Sequence, residues 1–390
     1  MNAFRLLAAL TMLALAGCQS NGAGEVLDPT SIAAPAESAQ PPVVAATDAS
    51  IGNGAVRVGV LLPLSAPGTD GERARNIRDA VVLAAKDLGE GVLTVAIRDT
   101  GAVPGRSREL AVDEIGRRSV AIIGPSDVAG GYELNLIKGD RKPPFFILAR
   151  KIGKAPGVYA LPLGEVESAA AGAVAAVERG KRHVAILTAD NNPAVADIET
   201  KVAAAVHAAG GIIEAKARYG TLSDKIAVAV KQIGEAEPRP DVIVIASGGR
   251  PVGMVVQALR DARLLGGATV IVGTSEWTQA DFSSGVEGAL IATIDSSEMA
   301  PMAERYRAAY GRGPDRDAAL AYDAIALAAG LARQLGEEAF AKKVVTNPTG
   351  FRSTSGVFRF LPDGSTERLL RVHRVSGGTL RPLDKGPSAF

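Results

Sequence analysis

From Val56 onward the chain alternates short apolar runs with helix-periodic stretches, and this alternation constrains its fold more than any other feature. Val56-Arg57-Val58-Gly59-Val60-Leu61-Leu62 stops at Pro63 and reads as a buried strand. Residues 70–88 then place Ala74, Ile77, Ala80, Val81 and Ala84 at helical spacing, with Gly89 and Gly91 just beyond. The pattern continues with a strand over 93–97, a helix over 107–117, a strand over 120–123 and another over 145–149. A second series after Tyr159 predicts helices over 165–178, 194–209, 223–233 and 251–264, interleaved with strands over 183–188, 212–217, 241–246 and 269–272. One more strand over 289–294 precedes helices over 299–310 and 317–334. The chain should close in a hairpin that runs from 356–360 through Pro362-Asp363-Gly364 to a strand over 368–375. Strands separated by helices of this length imply parallel sheets covered on both faces, with right-handed crossovers. The fold class is therefore α/β, with two Rossmann-like lobes side by side. Lobe one should hold about 56–161 and 299–335, and lobe two about 162–294 and 350–383.

The N-terminus carries a different signal. Arg5, an apolar stretch from Leu6 to Leu15 and small residues lead to Cys18, the sole cysteine. The apolar run is too short for a stable transmembrane helix. Leu15-Ala16-Gly17-Cys18 resembles a bacterial lipobox, which implies that the preceding peptide is removed and that Cys18 is lipidated. Gln19 after the cysteine, by the same resemblance, implies sorting to the outer membrane. The expected division is 1–18 signal peptide, 19–55 tether and 56–383 body. The tether is rich in Ala, Pro, Ser, Gly and Gln and lacks aromatics, so it cannot bury enough apolar surface to offset chain entropy.

Composition then excludes several functions. The formal charge is +1, and loss of Arg5 with the leader leaves the body neutral, which argues against a nucleic-acid partner. A single cysteine allows no intramolecular disulfide. His183, His207 and His373 lie far apart, and none stands in a metal-ligand pattern. No cofactor motif is present. Gly273-Thr274-Ser275-Glu276-Trp277 resembles a nucleophile elbow only as far as its serine, because Trp277 replaces the second glycine. No catalytic constellation emerges, so the expectation is a binder and not an enzyme.

Five pieces in order carry a family resemblance. They are Val-Gly-Val-Leu-Leu-Pro-Leu-Ser at 58–65, Ile-Ile-Gly-Pro at 122–125, and Gln257-Ala258-Leu259-Arg260 leading into Leu264-Leu265-Gly266. Tyr306 to Pro314 with Ala321-Tyr322-Asp323-Ala324, and the terminal Gly356-Val357-Phe358-Arg359-Phe360, complete the set. Together they resemble the type I periplasmic solute-binding proteins, in the leucine/isoleucine/valine-binding branch. The resemblance implies two lobes joined by three crossing segments, with a ligand between them near the strand carboxyl ends. Arg98-Asp99-Thr100-Gly101 and the lipobox are similar to the penicillin-binding-protein activators, outer-membrane lipoproteins of this fold. That likeness implies regulation of a peptidoglycan synthase by contact. The alternative is the substrate-binding component of an amino-acid or amide ABC transporter, with a small amino-acid-like or peptide ligand. The tether is too short for the helical-repeat domain of the best-known activators.

The candidate ligand contacts are Ser126, Ala149, Arg150, Ser247, Glu276 and Trp277; all but Ala149, which ends its predicted strand, stand just past one. The amino-acid motif of the family is eroded here. Leu148-Ala149-Arg150-Lys151 stands where small and hydroxyl residues are expected, Ser247-Gly248-Gly249 where an aromatic is, and Glu276 is one place out of register. Arg150 and Lys151 suit a carboxylate or phosphate, or a solvated loop. Ser247-Gly248-Gly249 could cradle an anion or make a tight turn. Trp277 could stack on a ligand or pack internally. Asp190-Asn191-Asn192-Pro193 reads as a helix cap that could also touch ligand, and Tyr322 reads as core.

Overall fold

The computed structural model describes residues 48–139, 142–150, 155–246, 251–279, 285–294, 299–387 and 389–390. Cys18, the leader, most of the tether, Lys151 and Ser247-Gly248-Gly249 lie outside the described residues.

The first sheet takes its strands in the order β1, β3, β2, β4, β5, β6. These are β1 (Ala49–Ile51), β2 (Val56–Leu62), β3 (Leu93–Asp99), β4 (Ala121–Ile123), β5 (Phe145–Ile147) and β6 (Val158–Ala160). All neighbours are parallel except β1, which runs antiparallel to β3 at the edge. Helices α1 (Gly68–Leu88), α2 (Arg106–Gly116) and α3 (Val128–Asn135) make the crossovers. The central strands read as unbroken apolar runs because both faces are covered: Val58, Val60 and Leu62 meet α1, while Leu61 and Ile122 meet Leu110, Ala111 and Leu134.

The second sheet repeats this plan with β7 (His183–Ala189), β8 (Ile212–Tyr219), β9 (Val242–Ala246), β10 (Val270–Gly273) and β11 (Leu290–Thr293). Its helices are α4 (Glu165–Glu178), α5 (Val195–Ala208), α6 (Ser223–Gly234) and α7 (Pro251–Asp261). The chain then returns to the first sheet, where α8 (Ala300–Tyr310) and α9 (Arg316–Leu335) pack on its core, followed by the short α10 (Lys342–Val345). The result is α/β with two lobes.

Three features depart from the sequence expectations. The stretch assigned to the tether is ordered from Asp48: β1 adds to the sheet edge, and the Asp48 carboxylate accepts from the Asp99 amide (3.0 Å) and from Arg98 Nε (2.8 Å). Helix α3 was not expected, since Val-Ala-Gly-Gly-Tyr has little helical propensity; Asp127 supplies its cap by accepting from Gly130 N at 2.7 Å.

The terminal hairpin is the third and largest departure. Strands β12 (Phe351–Ser353), β13 (Gly356–Phe360) and β14 (Thr366–Arg368) form a separate antiparallel sheet. Phe358 and Phe360 bury against Phe146 and Tyr159 of lobe one. Only β15 (Arg371–Ser376) and β16 (Thr379–Pro382) join the second sheet, beside β11. The expected strand over 368–375 is thus divided at Leu369-Leu370. Leu370 turns into a small apolar cluster with Leu163 and Ala292.

Candidate functional site

Parallel strands aim their carboxyl ends, with the helix N-termini that follow, at one rim of each sheet. Arg150 follows β5 and Ser126 follows β4 on lobe one; Glu276 follows β10 on lobe two. Arg316 opens α9 on the lobe-one side, and its Nη1 lies 3.4 Å from Glu276 Oε1. This ion pair bridges the lobes, with each side chain about one-third exposed (32% and 33%).

Glu165 opens α4, directly after the chain crosses from lobe one. Asn192, which follows β7, donates through Nδ2 to Glu165 Oε2 at 2.6 Å, while its own Oδ1 accepts from Ala194 N at 2.9 Å. Burial pushes the Glu165 carboxyl above the usual carboxylate range; Glu276 adds to the rise, whereas the Asn192 hydrogen bond and Arg150 oppose it. Arg150, Glu165, Asn192, Glu276 and Arg316 are therefore one electrostatic cluster drawn from both lobes. Next to Glu165, Glu167 curls back on the helix start: a Cβ at Gly164 would lie 2.3 Å from its carboxylate oxygen. Burial raises Glu167 as well.

Hydroxyls surround the strand ends. Thr188, Thr274 and Ser275 are buried, and their side-chain oxygens take no hydrogen-bond partner among the described residues. Ser168 Oγ accepts from Ser275 N at 2.8 Å and donates to the Ala292 carbonyl at 2.5 Å, pinning α4 to β11 and to the turn after β10. Two acids, two arginines and neutral hydroxyls can hold a small polar ligand bearing opposite charges. Among the described residues no group of His, Cys, Asp and Glu could hold a metal ion.

The sequence candidates fare differently. Arg150 and Glu276 fall in the cluster. Ser126 (6% exposed) and Ala149 are buried at strand ends of lobe one. Ser247 lies outside the described residues. Trp277 does not face an opening: it is 2% exposed and sits in the second lobe's core with Ile245, Ile271 and Val286. The Ser275–Gln279 turn is a 3-10 helix that folds the indole back beneath Gly273, where a Cβ would meet the ring at 2.5 Å. Glu165 and Arg316 were missed, because an acid at one helix start and a charge beside a capping Asp315 both read as ordinary helix ends.

A family profile for periplasmic binding proteins matches residues 55–379. The chain is a member of the periplasmic binding protein family. No curated protein sequence matches it. Among solved structures it is similar to a protein assigned as a branched-chain amino acid ABC transporter from Rhodospirillum rubrum, at 18% identity and TM-score 0.70, covering 84% of this chain and 99% of that one. An ABC transporter substrate-binding protein from Desulfitobacterium hafniense in complex with Leu matches at 18% identity and TM-score 0.60, over 84% and 99%. A solute-binding protein from Rhodopseudomonas palustris in complex with 3,4-dihydroxybenzoic acid matches at 18% identity and TM-score 0.59, over 86% and 97%. At these identities the likeness is one of fold.

Proposed function

We propose that this chain is an extracytoplasmic solute receptor, the substrate-binding component of an amino-acid or amide ABC transporter, which binds and releases its ligand without chemistry. The observation that carries the reading is the interlobe cluster of Arg150, Glu165, Glu276 and Arg316. Arginines suit a carboxylate, and Glu276 or Glu165 suits an ammonium, so a zwitterionic amino-acid-like or short peptide ligand fits the charges. Ligands of structural relatives, leucine and a dihydroxybenzoate, support a small ligand. Cys18 would tether the body to the membrane from the periplasmic side; no described helix is long and apolar enough to cross one.

The test is a thermal-shift screen with amino acids, short peptides and muropeptides. A true ligand at about 100 times its Kd stabilises by roughly 2.7 kcal/mol, and Arg150→Ala together with Glu276→Gln should remove the shift while leaving the unliganded melt nearly unchanged. No shift across the screen, with a peptidoglycan synthase co-purifying equally with wild type and double variant, would favour the second reading: an outer-membrane activator. That reading rests on Gln19 after the lipobox and on Arg98-Asp99-Thr100-Gly101.

A further inference from the structure

A cavity of 730 Å³ opens at the opposite end of lobe one. Val120, Pro144 and Gly157, which line it, immediately precede β4, β5 and β6, so it lies at the amino ends of strands whose carboxyl ends carry Ser126 and Arg150. Its volume is in the range of small-molecule pockets, about 300–1,000 Å³.

Among the described residues the lining carries more positive than negative side chains, with Arg118, Lys142 and Lys342 against Glu337 and Glu338. Lys142 donates through Nζ to the Ile137 carbonyl at 3.1 Å and stands 5.6 Å from the Phe145 ring centroid. Its stem passes Gly157, where a Cβ would lie 3.4 Å from Lys142 Cε. No described carboxylate pairs with it. Burial, aided by Lys138, lowers its pKa, the direction expected of an ammonium without a counter-charge. Tyr159 also lines the cavity; it is 2% exposed, and its ring packs on Phe146 and Phe360.

The rest of the wall sets the ligand's other features. Pro143, Pro144, Pro156 and Phe340 give a rigid apolar surface with no proline N–H to satisfy. At the mouth, Arg118 and Lys342 offset Glu337 and Glu338 in sign and number, so Lys142 remains as the net charge. We propose that this cavity is a second ligand site, distinct from the interlobe cluster, for a small apolar monocarboxylate whose oxygens meet Lys142 and Tyr159 and whose body lies on the prolines. The two rim glutamates disfavour a dianion. A site at this pole leaves lobe closure free, so both sites can be filled together.

Phenylacetate and its neutral isostere phenylacetamide, titrated into the full chain by calorimetry and ligand-observed NMR, test the idea. Phenylacetate should bind saturably and phenylacetamide about tenfold more weakly or worse. Lys142→Met should cost at least tenfold and Tyr159→Phe severalfold, whereas Arg150→Ala in the interlobe cluster should change nothing. Tyr159→Phe removes one oxygen from a packed ring, so it decides the matter even if Lys142→Met does not fold. Equal binding of acid and amide, loss of binding in Arg150→Ala with Tyr159→Phe unaffected, or no saturable binding up to about 10 mM would each overturn the proposal. Because phenylacetate and Arg150→Ala separate the two sites, failure here leaves the solute-receptor reading intact.

Discussion

Glu114 and Glu165 show one side-chain type driven in opposite directions by its surroundings. Glu114 is fully buried, and burial alone would raise its pKa. Hydrogen bonds from Arg57 (3.0 Å), Ser119 (2.7 Å) and Arg98 (2.8 Å) outweigh that effect and hold it below the usual carboxylate range. Gly59 makes the arrangement possible, since a Cβ there would sit 3.1 Å from Glu114 Cγ. Glu165 has only the Asn192 amide and a distant Arg150, so burial wins and its pKa rises. The consequences for stability have opposite signs. A depressed carboxyl contributes stability above its unfolded pKa and loses it as pH falls through the folded value. A raised carboxyl binds its proton more tightly in the folded state, so its contribution falls as pH rises from the unfolded pKa through the folded one. Urea unfolding of Glu114→Ala should show a loss of about 3 kcal/mol at neutral pH, because Arg57 loses its carboxylate and Arg98 loses one of three, and the loss should shrink in acid. Glu165→Gln should instead be neutral or stabilising near pH 7, with the gain vanishing in acid. Parallel pH profiles for the two variants would refute this assignment. The same contrast explains which site residues were readable. Arg150 and Glu276 were legible because charge just past an apolar strand has few structural uses. Trp277 was not, because a turn can send an aromatic side chain to the cleft or beneath its own strand, and spacing is identical in both cases.

Among the elements, strands declared themselves wherever both faces are covered, because burial on both sides demands an unbroken apolar run. The weaker elements were set by tertiary context instead. Strand β1 has three residues and is held by pairing with β3 and by the Asp48 carboxylate. Helix α3 depends on its Asp127 cap and on Leu134 beneath it. The terminal segment was misassigned because Gly356-Val357-Phe358-Arg359-Phe360 and the Asp-Gly turn report a hairpin without reporting which core it covers. What directs β12 to β14 to lobe one is Asp323 on α9. Its carboxylate accepts from Thr354 N (3.0 Å), Thr354 Oγ1 (2.7 Å) and Ser355 N (2.9 Å), while Phe358 and Phe360 fill the core below. Asp323→Ala should cost about 2–3 kcal/mol, the worth of charged hydrogen bonds that leave buried donors behind. Hydrogen exchange should localise the loosening to residues 351–368. Uniform loss of protection across both lobes would mean that Asp323 supports α9 itself instead of the small sheet.

The whole molecule is two lobes joined where the chain crosses three times, after β6, after β11 and after β14. Leu163 and Leu370, from the first and third crossings, form a single small cluster with Ala292 of β11. Arg368 binds it to lobe one by donating to the Leu161 carbonyl at 2.6 Å, and Ser168 binds it to lobe two through Ala292. The crossings are therefore fixed by buried packing, while the lobes are also bridged by the solvated Glu276–Arg316 pair. These two kinds of contact should respond differently to mutation. A pair one-third exposed contributes on the order of 1 kcal/mol or less, with solvent screening already counted. That is negligible against global unfolding, yet 1 kcal/mol is about a fivefold change in the ratio of two lobe arrangements. Glu276→Gln should accordingly leave the melting temperature nearly unchanged and shift the unliganded scattering profile toward a larger radius of gyration. Raising the salt concentration on the wild type should push it the same way, because the bridge is exposed to screening. A variant whose radius matches the wild type at low and high salt would show that the lobes are set by the crossings alone, and that the rim pair has no part in holding them together.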